Sequence, residues 1–155
     1  MSLKDWQLNG WLAAHSTSPQ EIADILRVAD RDLQNSAVSG LSADWRLNIA
    51  YNAALQAATA ALAASGYRTV REAHHFRVIQ SLVYTIGLEG KAVTQFDAFR
   101  KKRNIGVYER AGIVSDHEAS EMLSLAQKIR ERVESWLKEK YPELLSGVDD
   151  HGYLS

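Results

Sequence analysis

The chain has 155 residues, a formal net charge of -1 and an ordinary globular composition, with 46% hydrophobic and 24% charged residues. This length suits a single domain with its own core, and the balanced charge argues against a protein coated in positive charge for duplex DNA. The sequence contains no cysteine, which excludes disulfides, thiolate catalysis, iron–sulfur clusters and cysteine-ligated zinc.

The sequence predicts neither a secretion signal nor a membrane span. Residues 1–10 include Lys4, Asp5 and Asn9, which do not fit a signal peptide. The most apolar stretch, Ala53–Ala64, is far shorter than the roughly 20 residues that a transmembrane helix needs. We therefore expect a cytoplasmic protein without membrane association.

Helical periodicity covers nearly the whole chain, and no alternating run of β-branched residues predicts a strand. A first helix, with a weak pattern, is predicted over Leu3–Ala14. A second begins at Pro19, because Ser18 suits an N-cap and Glu21 would complete a capping box. The stretch Val38–Gly40 ends it.

A third helix follows Ser42, which can cap it, and ends before Gly66, a residue suited to the position after a helix. Alanine fills much of this helix. Because small side chains let neighbouring helices approach closely, we predict that it lies at the centre of a bundle. Thr69 and Glu72 form another capping box, which predicts a fourth helix that closes at Gly87.

Two further helices complete the predicted fold. A short one covers Val93–Arg103, and a long one starts at Ser115 with Glu118 as its box partner. Short connections between long helices favour antiparallel neighbours. We therefore predict an all-α, up-and-down bundle of five or six helices in one domain, residues 1–145. Residues 146–155 have little to bury and are predicted to be a flexible tail.

The basic segment, Phe99–Tyr108, carries the main functional signal. Its four consecutive cations, residues 100–103, point around the whole circumference of a helix. Arg100 and Asn104 share one helix face at i, i+4 spacing, and Tyr108 joins them if the helix continues past Gly106. Arginine donates bidentately to phosphate, asparagine reads a base edge and tyrosine stacks. The candidate residues for binding a nucleotide or RNA are Arg100, Lys102, Arg103, Asn104 and Tyr108. A solvated, charged helix end is the simpler interpretation.

Three further residues, Asp44, Asn52 and His75, could support the basic segment. Asp44, Asn48 and Asn52 belong to a polar row at i, i+4 spacing on the third helix. On a central helix this row needs partners, and the arginines of the basic segment would suit Asp44 and Asn52; on an exposed helix it is only the solvated face. His74 and His75 point about 100° apart on a helix, so no metal site is predicted. His75 could instead supply an imidazole to the basic segment.

The run Arg103-Asn104-Ile105-Gly106-Val107-Tyr108 resembles the signature of the HEPN family, in which an arginine and a polar residue precede a histidine. The segment Ser42–Leu55 is similar to the family's core, in the branch that lacks the usual histidine. The order of long helices, motif and final long helix is also similar, and the likeness covers Leu26–Leu137. Further residues that extend it are Leu62, Gly66, Tyr67 and His75.

The resemblance implies a bundle that forms a homodimer, with two motifs facing one cleft, or a heteromeric complex with a partner protein, and it implies no cofactor or metal. Many HEPN domains are metal-independent RNases, often toxins paired with a nucleotidyltransferase antitoxin. In these RNases the arginine and the histidine serve the attack of the 2′-OH on the neighbouring phosphate. Other members have lost catalysis and bind nucleotides or RNA.

Tyr108 stands where the family has its histidine. A tyrosine phenol, with a pKa of about 10, is a poor general base at neutral pH, so the sequence favours binding over catalysis. We therefore expect a HEPN-like domain that binds RNA or a nucleotide as a dimer, in a toxin–antitoxin or defence setting. One alternative is a metal-independent endoribonuclease toxin that uses Arg103, Asn104 and Tyr108. The other is a non-catalytic protein-interaction bundle.

Overall fold

A computed structural model of the chain describes residues 1–70, 74–108 and 114–145; for residues 104–108 it describes the backbone alone. Within these residues six α-helices form a bundle with one small sheet, which confirms the predicted all-α helical fold. The elements in chain order are α1 (Leu3–Leu8), β1 (Leu12–Ala14), α2 (Pro19–Ser36), α3 (Ala43–Ala64), β2 (Tyr67–Thr69), α4 (His74–Ser81), α5 (Gly90–Tyr108), α6 (Asp116–Lys140) and a 3-10 turn (Pro142–Leu144).

α3 is the centre of the bundle, as its alanines predict. It packs most extensively against α2 and α6, and over shorter stretches against α4, α5 and β2. Ala50, Ala54 and Ala58 are fully buried, and their methyl groups leave room for the neighbouring helices to lie close. Tyr51, on the same helix, packs edge-to-face against Phe96 of α5, with ring centroids 5.5 Å apart. α3 therefore fixes where the basic segment of α5 lies.

The predicted N-caps of three helices are confirmed. Ser18, Ser42 and Ser115 each accept a hydrogen bond from the backbone N–H three residues later. At Ser115 the capping box is complete, because the Glu118 carboxylate accepts from the Ser115 N–H. At Ser18 only half of the predicted box forms, since the Glu21 carboxylate turns to other partners.

The sequence predicts no strands, and this prediction is wrong. The first helix ends at Leu8, and β1 then pairs with β2 in an antiparallel sheet, with Leu12 opposite Thr69. Gly10, at a φ of 81°, lets the chain turn between helix and strand. Thr69 therefore lies in a strand, and Glu72, its predicted capping partner, lies outside the described residues. Three-residue strands are held by backbone hydrogen bonds between distant segments, and their side chains carry little pattern.

The helices around the basic segment differ in length from the prediction. α4 ends at Ser81, well before Gly87, whereas α5 starts earlier than predicted and runs past Gly106 to Tyr108. The whole basic segment is therefore helical. None of the helices in the described residues is long and apolar enough to cross a membrane. The predicted tail, residues 146–155, lies outside the described residues, and the up-and-down order stays a prediction.

Candidate functional site

Three of the four cations in the basic segment have ion-pair partners. Arg100 Nε donates to Asp97 Oδ1 at 2.7 Å, one turn earlier on α5. Lys101 Nζ lies 3.7 Å from the other oxygen of Asp97. Lys102 Nζ lies 3.3 Å from Glu118 Oε2, at the start of α6. Each of these three residues therefore has an anionic partner, although Arg100 and Lys101 share the carboxylate of Asp97.

Arg103 is placed differently. Its guanidinium carbon lies 5.2 Å from the centroid of the Tyr51 ring, a cation–π distance. Its Nε is buried and has no hydrogen-bond partner among the described residues. Across residues 1–70, 74–108 and 114–145, Arg103 forms no ion pair. Because buried donors are normally paired, this guanidinium has unused hydrogen-bonding capacity.

Tyr51 joins Arg103 to α4. Its hydroxyl oxygen lies 3.3 Å from His75 Nδ1, and the two rings are tilted at 50° with centroids 6.0 Å apart. Burial raises the pKa of Tyr51 to about 12, against the opposing effect of the positive charges on Arg103 and Arg100. The phenol is therefore protonated at neutral pH and can donate a hydrogen bond. The sequence predicts Tyr51 only as an apolar residue of α3, although a buried tyrosine hydroxyl usually has a polar partner.

His75 lies beside the basic segment. Burial above all, together with the charges of His74, Arg103 and Arg100, lowers the pKa of its imidazole from 6.5 to about 4. The ring is therefore neutral at neutral pH and has one nitrogen that accepts a hydrogen bond or a proton. Arg100 adds a second link between α4 and α5, since its guanidinium carbon lies 5.6 Å from the centroid of the Phe76 ring.

Of the predicted supporting residues on α3, Asn52 points elsewhere. Its amide nitrogen donates to Asp32 Oδ2 of α2 at 2.7 Å, so the prediction that Asn52 supports the basic segment is wrong. Each i, i+4 step turns about 40° around a helix, so a polar row does not keep to one neighbour. Asp44 is partly buried in the first turn of α3, and its supporting role stays a prediction. Asn48 Oδ1 is buried and has no hydrogen-bond partner.

The structure describes only the backbone of two predicted binding residues. Asn104 and Tyr108 lie on α5, but their side chains are outside the part of the chain that the structure describes. Their backbone positions share a helix face with Arg100, because α5 is continuous to Tyr108. Their contact with a ligand stays a prediction.

We call Arg103, Tyr51, His75 and Arg100 together the Arg103 cluster. It offers an arginine without an anionic partner among the described residues, a neutral imidazole and a protonated phenol, contributed by α3, α4 and α5. A guanidinium and a phenol are hydrogen-bond donors, and a neutral imidazole is able to accept a proton. Among the described residues no group of three or more histidine and carboxylate side chains could hold a metal ion.

Neither the known protein families nor the curated proteins give a match to this chain. The likeness to the HEPN family therefore stays a prediction from the sequence. The case for a function depends on the geometry of the Arg103 cluster.

Proposed function

We propose that the chain binds a phosphate-bearing ligand, RNA or a nucleotide, through the Arg103 cluster and the basic segment. The observation that carries this proposal is the contrast within the segment. Arg100, Lys101 and Lys102 are ion-paired inside the fold, whereas Arg103 has no anionic partner in the described part of the chain.

A phosphate suits Arg103 on physical grounds. A guanidinium that is partly withdrawn from water loses hydration, and an anionic ligand would restore the missing interactions. Arginine presents parallel N–H donors that match two phosphate oxygens. The Tyr51 ring beneath the guanidinium restricts its motion, so less conformational entropy is lost when the ligand binds.

The test compares Arg103→Ala with Lys101→Ala. Lys101 lies two residues before Arg103 and is exposed and loosely paired, so its substitution removes the same charge without removing a buried group. A short labelled single-stranded RNA and AMP would be titrated against each protein. We expect Arg103→Ala to weaken binding about tenfold or more, and Lys101→Ala to change it less than about twofold. Equal losses in the two variants would contradict a specific role for Arg103 and leave only nonspecific charge attraction.

Metal-independent RNA cleavage is a second candidate, because His75 lies beside the arginines. In this reaction the neutral imidazole takes the proton of a ribose 2′-OH and the 2′-oxygen attacks the adjacent phosphorus. The bond to the 5′-oxygen breaks, giving a 2′,3′-cyclic phosphate and a 5′-OH that takes up a proton. Arg103 would stabilise the charge on the phosphate oxygens, and His75 would replace the histidine that Tyr108 displaces.

His75→Gln separates cleavage from binding. We expect this variant to abolish cleavage measured in the presence of a chelator, while RNA affinity changes less than about threefold. If the unsubstituted protein binds RNA but produces no cyclic phosphate, the cleavage candidate is rejected and the binding module stands.

The partners implied by the resemblance belong to the same proposal. A homodimer would bring two Arg103 clusters to one cleft, and a nucleotidyltransferase-type antitoxin would be the second kind of partner, in the cytoplasm. Light scattering of the purified chain, with and without RNA, measures the first. A monomer at all concentrations would reject the shared cleft, and the binding proposal would then apply to a single chain.

A further inference from the structure

A second arginine, Arg77 of α4, is stacked on an aromatic ring. Its guanidinium carbon lies 3.8 Å from the centroid of the Trp11 ring, closer than the 5.2 Å between Arg103 and Tyr51. Arg77 is partly exposed, and it forms no ion pair or hydrogen bond with a described residue. A stacked guanidinium contacts the ring through its flat face, so the N–H donors at its edges stay available.

The Trp11 ring is held in place by the fold. The backbone N–H of Trp11 donates to the Trp6 carbonyl at 2.9 Å, and the Trp11 carbonyl accepts from the Val70 N–H at 3.3 Å. The Trp11 ring also packs edge-to-face against the ring of Trp6, which is buried, with centroids 6.0 Å apart. Because its stacking surface is fixed, the Arg77 guanidinium loses less conformational entropy when a ligand binds.

Phe76 joins Arg77 to the Arg103 cluster. Its ring centroid lies 5.7 Å from the guanidinium carbon of Arg77 and 5.6 Å from that of Arg100. Arg77 and Arg100 are therefore neighbours across the contact between α4 and α5, and Arg103 follows Arg100 by three residues, at a spacing that places the two close together on α5.

The cations of this region outnumber the carboxylates that pair with them. Arg77, Arg100 and Arg103, together with Lys101, have one carboxylate among the described residues as their ion-pair partner, that of Asp97. The region formed by the three arginines therefore carries an excess of positive charge, and its charge is complementary to a ligand with several anionic groups.

We propose that Arg77 binds a second phosphate, and that the ligand of the Arg103 cluster is therefore single-stranded RNA of two or more nucleotides rather than a free nucleotide. The inference rests on the proposed function and specifies its ligand. A strand presents successive phosphates to separate arginines, whereas AMP presents one. The rings of Trp11 and Phe76 beside the cations suit unpaired bases, since the face of any base stacks on an aromatic side chain.

The experiment compares ligands that differ in the number of phosphates. Calorimetry on the unsubstituted protein would give the affinities of mono-, di- and triadenylate, each with a 5′-phosphate, at several salt concentrations. We expect triadenylate to bind about tenfold more tightly than AMP. Each further phosphate that the protein neutralises should steepen the slope of log affinity against log salt by about 0.7.

Variants of Arg77 locate the gain. Arg77→Gln is expected to bring the affinity for triadenylate within about twofold of that for AMP, to leave AMP binding within about twofold, and to reduce the salt slope for triadenylate by about 0.7. Arg77→Lys keeps the charge but loses the planar fork, so it should retain only part of the gain. Arg27→Gln removes the same charge from an exposed arginine of α2 that pairs with Asp24, and serves as the control.

The outcomes separate this inference from the proposed function. If triadenylate gains less than about twofold over AMP, or if its advantage survives in Arg77→Gln, the second phosphate site is rejected, while Arg103-dependent binding of AMP still supports the proposed function. If the advantage depends on Arg77 but no ligand responds to Arg103→Ala, the link to Arg103 is rejected.

Two further results would decide the remaining cases. An oligoaspartate of the same net charge that competes as well as triadenylate would reject RNA in favour of an acidic peptide. Should Arg77→Gln fail to fold, the dependence of affinity and of salt slope on ligand length in the unsubstituted protein decides, because a single phosphate site predicts no change in slope with length.

Discussion

The two ends of α5 carry charge in opposite ways. Glu89, immediately before the helix, accepts hydrogen bonds from Lys128 Nζ at 2.7 Å and from Arg132, both on α6. Arg132 Nη2 also donates to the Ile86 carbonyl at 2.9 Å. These hydrogen bonds, from Lys128 first and Arg132 next, lower the pKa of Glu89 to about 2. At the far end Arg103 has a buried Nε without a hydrogen-bond partner in the part of the chain that the structure describes.

This difference shows that the number of cations in a segment does not identify a site; their partners do. Lys128 and Arg132 of α6 hold the turn before α5 against α6, so their hydrogen bonds are used by the fold. The guanidinium of Arg103 lies over an aromatic ring and has no anionic partner among the described residues, and in our proposal its donors bind a ligand. Loss of a cation should therefore affect stability at one end of the helix and ligand affinity at the other.

The largest expected effect is on binding, through charge reversal at each end of α5. Arg103→Glu should weaken AMP binding about 100-fold, because a carboxylate next to the phosphate adds repulsion to the lost hydrogen bonds. Glu89→Lys should leave the affinity within about twofold. Lys101→Glu, which gives the same net charge as Arg103→Glu, is the matched control in calorimetry. Comparable losses in Lys101→Glu and Arg103→Glu would refute the distinction.

A smaller effect is expected on the free energy of unfolding. Here the substitution beside Glu89 should have the larger effect and the substitution of Arg103 the smaller. Arg132→Met should lower the free energy of unfolding more than Arg103→Met does, since the Ile86 carbonyl loses its donor and Glu89 loses one of its donors. Arg103→Met should change it by less than about 0.5 kcal/mol, because the lost cation–π contact is offset by removal of an unpaired buried donor. Urea denaturation followed by circular dichroism measures both. An equal cost at the two sites would make Arg103 a structural residue.

The smallest effect is a pH dependence that differs between the two ends. The pKa of His75 is about 4 in the folded chain, below its ordinary value of 6.5, so the native state binds fewer protons than the unfolded state between these values. The free energy of unfolding should therefore fall as the pH falls through this window. Glu89, with its pKa lowered from 4.5 to about 2, loses its contribution only as the pH falls through that lower range.

His75→Gln should reduce the pH dependence of the free energy of unfolding between the folded and ordinary pKa values of His75, about 4 and 6.5, and leave the dependence due to Glu89 unchanged. Glu89→Gln should have the opposite effect, at pH values between about 2 and 4.5. Nuclear magnetic resonance titration of the His75 ring provides the direct measurement. Addition of a phosphate ligand should raise its pKa, because the bound anion offsets the charges of Arg103 and Arg100. No ligand-dependent change in the His75 titration would place the anion away from the cluster.

The helical fold follows from local signals in the sequence. Ser18, Ser42 and Ser115 act on the backbone three residues away, so their caps are readable without tertiary information. The alanine content of α3 predicts its central position for a similarly direct reason. The β1–β2 pair was missed because its hydrogen bonds join segments far apart in sequence.

The candidate site was predictable only in part. The basic segment marks where Arg103 lies, and the spacing of Asp97 and Arg100 indicates an i, i+3 ion pair. The pairing of Lys102 with Glu118 and the place of Tyr51 beneath Arg103 depend on how separate helices pack. The spacing of residues along the sequence does not predict contacts between separate helices. The sequence therefore locates the cations, while the fold determines which of them lacks an anion among the described residues.

The strand pair also constrains the order in which the chain can fold. β1 and β2 enclose the whole of α2 and α3 between them, so their pairing closes a long loop with a few backbone hydrogen bonds. The entropy of closing that loop is reduced once α2 and α3 have packed against each other. We expect the helical hairpin to belong to the folding nucleus and the N-terminal strand to join after the rate-limiting step. The helical core would then form before β1 pairs with β2.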